Sequence, residues 1–289
     1  MGFKGLIVTD AMSMSGLTLY FEQGEAGVRA FLAGSDLLEK PSDPDAMIAG
    51  LLAAVKSGRI PQERLDDSVR RILAWKSAVG LFDNRITNID AMDRIISGPE
   101  SLALTNEVAA KAITLVRNDA NALPLDRSKK IVVLGLSNGF DGPDTMAPFV
   151  SALRSSGLRS SSFYLQENSL TEQAQAARSA ASEADIVIVG LYGRVRSGAK
   201  NSVGVPENGA TILRELLANG KQVVGVSFGN PYVLSSFPEM KTYVVAYGDM
   251  SSLQRAAARS LLGLQPITGR LPISLPGSYP RGTGIQFVK

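Results

Sequence analysis

Short apolar runs alternate with amphipathic stretches along nearly the whole chain, the order expected of a mostly parallel sheet with helices packed on it. The first apolar run, Gly5 to Thr9 in "GLIVTDAMSMSG", predicts a strand that delivers Asp10 at its end. A helix is expected near Glu25 to Ala33, a short strand over residues 35–41, and helices from Pro44 to Lys56 and Pro61 to Val79. Pro61 suits a first helical turn, where its missing N–H has no partner to lose. Leu65, Val69, Ile72 and Leu73 line one face of that last helix and read as core.

The pattern loosens through residues 84–98, which read as a connector. A helix from Glu100 to Ala112 leads into a strand at 113–118. Four further apolar strands are then predicted at 129–136, 185–191, 222–228 and 242–247. Helices at 171–183, 206–218 and 251–262 accompany them, which predicts a doubly wound α/β sandwich. Ser155, Ser156 and Ser160 to Ser162 read as a polar turn. The expected domains are therefore 1–83, a linker at 84–98, and 99–289.

Composition narrows the chemistry. The 289 residues contain no cysteine and no histidine. Disulfides, thiolate nucleophiles, the usual zinc ligand sets and an imidazole base are therefore excluded within this chain. A net charge of +3, without dense basic and aromatic clusters, gives no footprint for nucleic acid. No apolar run is long enough to span a membrane, and nothing in the sequence fixes the compartment. The first residues lack the basic segment and apolar core of a secretion signal, so Met1 reads as an internal start.

Asp10 at a strand end has two readings on local sequence: an N-cap for a short following helix, or a phospho-acceptor. The phospho-acceptor reading lacks the acidic pair and later lysine of its usual setting. Asp36, ahead of an apolar pair in the second strand, reads as a cap or salt-bridge partner, with a reach into the same site as Asp10 as the alternative. "GLSNGFDGPD", residues 135–144, follows a strand and is glycine-rich, yet lacks the Gly-Lys-Ser/Thr ending and dinucleotide spacing of a phosphate cradle. The basic loop "GRVRSGAK", 193–200, reads as solvated, with anionic sugar or phosphate as the functional alternative.

Four ordered segments change the weighting of Asp10. "GFKGLIVTDAMSMSGLT", "GVRAFLAGSDLLEKP", "AVKSGRIPQERLDDSVRRILAWKSAVGLF" and "SLALTNEVAAKAITLVRNDANALPL" together resemble glycoside hydrolase family 3, nearest its bacterial β-N-acetylglucosaminidase (β-hexosaminidase) branch. "GNPYVL" (229–234) and "GRLPISLP" (269–276) extend the likeness more loosely. The resemblance implies the carboxy-terminal fragment of a TIM-like (β/α)8 barrel, its last two β/α units in residues 1–83, followed by the α/β sandwich. It also implies Asp10 as the nucleophile of a retaining hydrolase acting on terminal β-linked N-acetylglucosamine. Met14 would pack against the sugar and Thr9 would support the loop, with no metal and no cofactor.

In that branch the acid/base is a histidine on an earlier barrel loop, which this chain lacks. With ~250 residues in a typical barrel, about 190 would precede Met1. The isolated chain is accordingly expected to be inactive, and residues 1–83 to be stable only against the second domain, another chain or the missing barrel portion. Two alternatives stand beside this reading. In the β-glucosidase/β-xylosidase branch a glutamate of the second domain, Glu207 or Glu167 here, serves as acid/base; that branch tends to have tryptophan where this chain has Ala11. The other alternative is a non-catalytic α/β binding module.

Overall fold

The computed structural model describes residues 2–195 and 204–288. The chain divides into two compact units, Met1–Met92 and Asp93–Lys289.

The first unit carries α1 (Ser15–Thr18), α2 (Gln23–Leu32), α3 (Pro44–Lys56) and α4 (Gln62–Ala78), and α5 (Met92–Ile95) begins at its end. Asp43 caps α3 by accepting from the Ala46 N–H at 2.9 Å, with Pro44 at the first helical position. Helices α2 and α3 approach so closely at Gly24 and Gly50 that a Cβ on Gly50 would lie 2.6 Å from the Gly24 Cα. Val28, Phe31, Ala54 and Ile60 form one small core, and Met12, Ala26 and Met47 a second.

Both strands expected in this unit shrink to a single parallel bridge, Val8↔Leu37. A lone pair of short strands has little cooperative support, and Ile7 and Val8 are 45% and 50% exposed. The face of α4 expected as core is also partly bare. Leu65 packs on the small core, whereas Val69 and Leu73 are exposed and the buried residue of the helix is Ser68. Pro61 sits in extended conformation one position ahead of α4.

The second unit is a three-layer sandwich. Its strands are β1 (Thr114–Asn118), β2 (Ile131–Ser137), β3 (Ser160–Leu165), β4 (Ile186–Tyr192), β5 (Gln222–Ser227) and β6 (Thr242–Val245), in the order β1-β6-β5-β4-β2-β3. All neighbours are parallel except β1, which runs antiparallel to β6. Residues 131 and 133 of β2 face a core shared with Phe149, Leu153, Ala257 and Leu261, while 132 and 134 face one shared with Ala177, Ala181, Leu213 and Leu216. Helices α6 (Pro99–Ala112), α7 (Ala147–Ser155) and α10 (Ser251–Leu261) cover the first face; α8 (Thr171–Glu183) and α9 (Glu207–Ala218) cover the second. With both faces buried, the inner strands must be apolar at every position, which is why the sequence shows runs there rather than alternation.

Two elements depart from the sequence reading. Ser160 to Ser162 begin strand β3 rather than forming a turn, and α7 precedes it. β3 lies at the sheet edge, where a half-solvated position tolerates serine.

Candidate functional site

The Val8↔Leu37 bridge fixes the loop that follows. Thr9 N–H donates to the Leu37 carbonyl at 3.1 Å, Glu39 N–H donates to Thr9 Oγ1 at 2.9 Å, and Met12 N–H donates to the Glu39 carbonyl at 2.9 Å. Thr9 thus ties the two chain segments together through its side chain. Asp10 stands between these anchors, exposed, with Oδ1 accepting from the Ala11 N–H at 2.7 Å. It caps no helix: the position ahead of α1 is Met14, which makes no side-chain cap.

Asp10 and Met14 are brought together. Both line a hollow of ≈520 Å³ whose other walls include Thr9, Met12, Leu17 and Phe21. Met12 is buried and Met14 is exposed, so one methionine packs beneath the loop and the other faces solvent. Arg29 also contributes to the hollow; its guanidinium lies 4.8 Å from the Phe21 ring centroid and its Nε is 2.6 Å from Glu25. Glu25 is bonded as well by Arg59, and these two guanidiniums, Arg59 first, hold its carboxyl down at about 2. Among the described residues Asp10 is the carboxylate that lines this hollow, and it has no ion-pair partner there, within a largely apolar wall.

Asp36 does not join that hollow. Its side chain is buried, with Oδ1 2.7 Å from Arg71 Nη2 and 2.5 Å from Ser68 Oγ, while Oδ2 accepts from the Ile7 N–H at 3.1 Å. Arg64 lies 3.7 Å away, donates to the Phe31 and Ser35 carbonyls, and stacks on Phe31. Burial alone would raise the Asp36 carboxyl; the bonds from Arg71, Ser68 and Ile7 outweigh it and hold the value at about 2. The residue is a clamp joining α4 to the first bridge. The carboxylate that sequence reasoning passed over is Glu39, exposed at the end of the second segment and two residues beyond Leu37, as Asp10 is two beyond Val8. The signal was available as a second carboxylate following a short apolar run.

In the second unit the glycine-rich loop after β2 folds onto its own side chains. Gly139 N–H donates to Ser137 Oγ at 3.0 Å, and Asp141 receives the Tyr164 hydroxyl at 3.2 Å and Arg194 at 3.0 Å. Burial would raise the Asp141 carboxyl, but bonds from Thr145 and its own backbone, with Arg194 nearby, hold it below the usual range. Arg194 also pairs with Asp249, and its backbone N–H donates to Asn138 Oδ1 while its carbonyl accepts from Asn138 Nδ2. Residues 196–200 of the basic loop lie outside the described residues. Glu207 sits in the first turn of α9, 3.0 Å from Arg214, and Glu167 is exposed in a turn. Among the described residues no cluster suited to a metal ion gathers, and no helix is long and apolar enough to cross a membrane.

Comparison with known proteins adds to this geometry. The family model "Glycosyl hydrolase family 3 C-terminal domain" matches residues 113–283, and "Glycosyl hydrolase family 3 N terminal domain" matches residues 1–75. A β-N-acetylglucosaminidase/β-glucosidase of Cellulomonas fimi is 29% identical over 94% of this chain and 50% of its own length. A lysosomal β-glucosidase of Dictyostelium discoideum is 29% identical over 96% of this chain and 38% of its own length. Among solved structures, a glycoside hydrolase family 3 β-N-acetylglucosaminidase from Paenibacillus sp. str. FPU-7 superposes with a TM-score of 0.79 at 26% identity, over 95% of this chain and 52% of that one. The chain spans about half the length of these relatives, or less.

Proposed function

The chain belongs to glycoside hydrolase family 3, and we propose that it supplies the nucleophile-bearing part of a retaining β-N-acetylglucosaminidase, with Asp10 as nucleophile and Met14 against the sugar. The single observation that carries this reading is the shared hollow of ≈520 Å³: an exposed carboxylate, its loop held by two backbone bonds and one to the Thr9 hydroxyl, beside a largely apolar wall. Anchoring matters because a nucleophile held near its attack position has little freedom left to lose. In a retaining mechanism Asp10 attacks the anomeric carbon and displaces the aglycone, giving a covalent glycosyl-enzyme that water then opens.

Departure of the aglycone needs a proton, and with no histidine in these 289 residues no imidazole here donates it. The reading therefore places the acid/base outside them, on barrel segments completing the (β/α)8 fold of which residues 1–83 are the last two units. The isolated chain then turns over ordinary substrates negligibly. The β-glucosidase/β-xylosidase branch is the second reading, favoured by the names of relatives that include β-glucosidases.

An activated substrate tests the assignment, because a leaving group that needs no proton bypasses the absent acid. The chain is incubated with a 5-fluoro N-acetylglucosaminyl fluoride and, separately, with the 2-fluoro glucosyl analogue, followed by mass spectrometry of the intact protein and its peptides. An N-acetylglucosaminyl adduct on Asp10, lost in Asp10→Ala, is the expected result. Labelling of another residue, or undiminished labelling in Asp10→Ala, overturns it; an adduct with the glucosyl probe alone moves the chain to the other branch.

A further inference from the structure

The two edges of the six-stranded sheet are finished differently. Outside β1 the Leu115↔Ile285 bridge covers the backbone, with Ile285 N–H donating to the Leu115 carbonyl at 2.8 Å. Outside β3 no strand or bridge is found among the described residues, so half of its N–H and C=O groups face outward. Edges of this kind are usually blunted by lysine, proline, a bulge or an inward charge. β3, Ser-Ser-Ser-Phe-Tyr-Leu, has none of these.

The flanks are also open. Phe163 and Tyr164 are only partly buried and project to opposite faces of the sheet. A groove of ≈600 Å³ runs beside the strand along Phe163, Leu170 and Gln173, and one of ≈410 Å³ along Tyr164, Val150 and Arg154. An added strand would find both its backbone partners and side-chain space.

From these features we infer that β3 is a self-association edge, and that its occupant is β3 of a second copy of this chain, paired antiparallel about a two-fold axis. Charge selects that occupant and the register. Arg159 and Glu167 flank the strand, both exposed and without an ion-pair partner among the described residues. With the axis through Phe163, the ladder joins residues 161–165 of the two copies, and residue 159 of each, just ahead of the strand, comes beside the turn that carries residue 167 of the other, so one pairing brings two opposite charges together twice. The same register sets the two Phe163 rings against each other as a cross-strand aromatic pair. Two six-stranded sheets then continue into one, through an interface that is the same patch on both copies. This inference concerns the second unit and does not depend on the glycosidase reading.

Sedimentation of the full chain across the micromolar range reads the association directly. A reversible dimer is expected. Arg159→Glu sets like charges opposite at both contacts and should weaken it about tenfold. Adding Glu167→Arg restores the attraction and the affinity, whereas Phe163→Lys leaves a monomer. Because the chain has no cysteine, Phe163→Cys introduces a single thiol on the axis. Directly opposed residues in an antiparallel pair have Cα atoms about 4.5–5.5 Å apart, within disulfide reach. Mild oxidation should link that variant covalently into dimers while leaving Glu172→Cys, an exposed position of α8, without the covalent link. A monomer at every concentration overturns the inference, and so does an association indifferent to these substitutions or a Glu172→Cys variant that links equally fast.

Discussion

Asp36 gives the sharpest quantitative test of the first unit, because its charge is buried and its partners come from separate segments. Asp36→Asn keeps the shape and the acceptor oxygen but removes the charge that Arg71 approaches at 2.7 Å and Arg64 at 3.7 Å. Holding the carboxyl at about 2 instead of the ordinary 3.8 corresponds to about 2 kcal/mol of preference for the ionised form in the folded state. Since the folded-state value is depressed, that stability is complete above the unfolded value of 3.8 and is lost as pH falls through about 2. Wild type should therefore exceed Asp36→Asn by about 2 kcal/mol at neutral pH, by roughly half of that near pH ~3, and by little near pH ~2. The assay is urea unfolding followed by tryptophan fluorescence: the chain has one tryptophan, Trp75, on α4, the helix that Asp36 clamps. Equal midpoints for the two proteins at neutral pH, or a gap that stays constant down to the lowest pH, would refute the argument.

Three further outcomes follow from particular contacts. Gly50→Ala drives a Cβ to 2.6 Å from the Gly24 Cα, backbone against backbone, so α2 and α3 must separate; about 1–3 kcal/mol should be lost in the same fluorescence assay. Gln254, buried on α10, accepts from the Phe149 N–H and the Tyr192 hydroxyl and donates to the Thr145 and Asp249 carbonyls. Gln254→Met leaves those groups unpaired and should cost about 2–3 kcal/mol in the thermal unfolding of the second unit, read by circular dichroism. Asp10→Ala, by contrast, removes one exposed carboxylate and should move stability by no more than about 0.5 kcal/mol while abolishing covalent labelling by the fluorinated probe.

The second unit was legible in the sequence because its inner strands are buried on both faces. Continuous apolar runs at 131–137, 186–192 and 222–227, separated by helices of ordinary length, leave little else for the chain to build. The exception is instructive: β3 is a strand because β2 offers it a ladder, and its three leading serines carry no hydrophobic signal of their own. In the first unit the local pattern fixed the helices and put Asp10 after an apolar run, but periodicity cannot say whether an apolar face finds a partner. Val69 and Leu73 read as core and stand exposed, and two expected strands became one bridge, since burial and pairing belong to what surrounds a segment. The carboxylates divide in the same way. Sequence alone set Asp10 after the first apolar run and Asp36 at the start of the second; only the tertiary arrangement surrounded Asp36 with two guanidiniums and a hydroxyl and left Asp10 facing a hollow, because charge environment is made by residues distant along the chain.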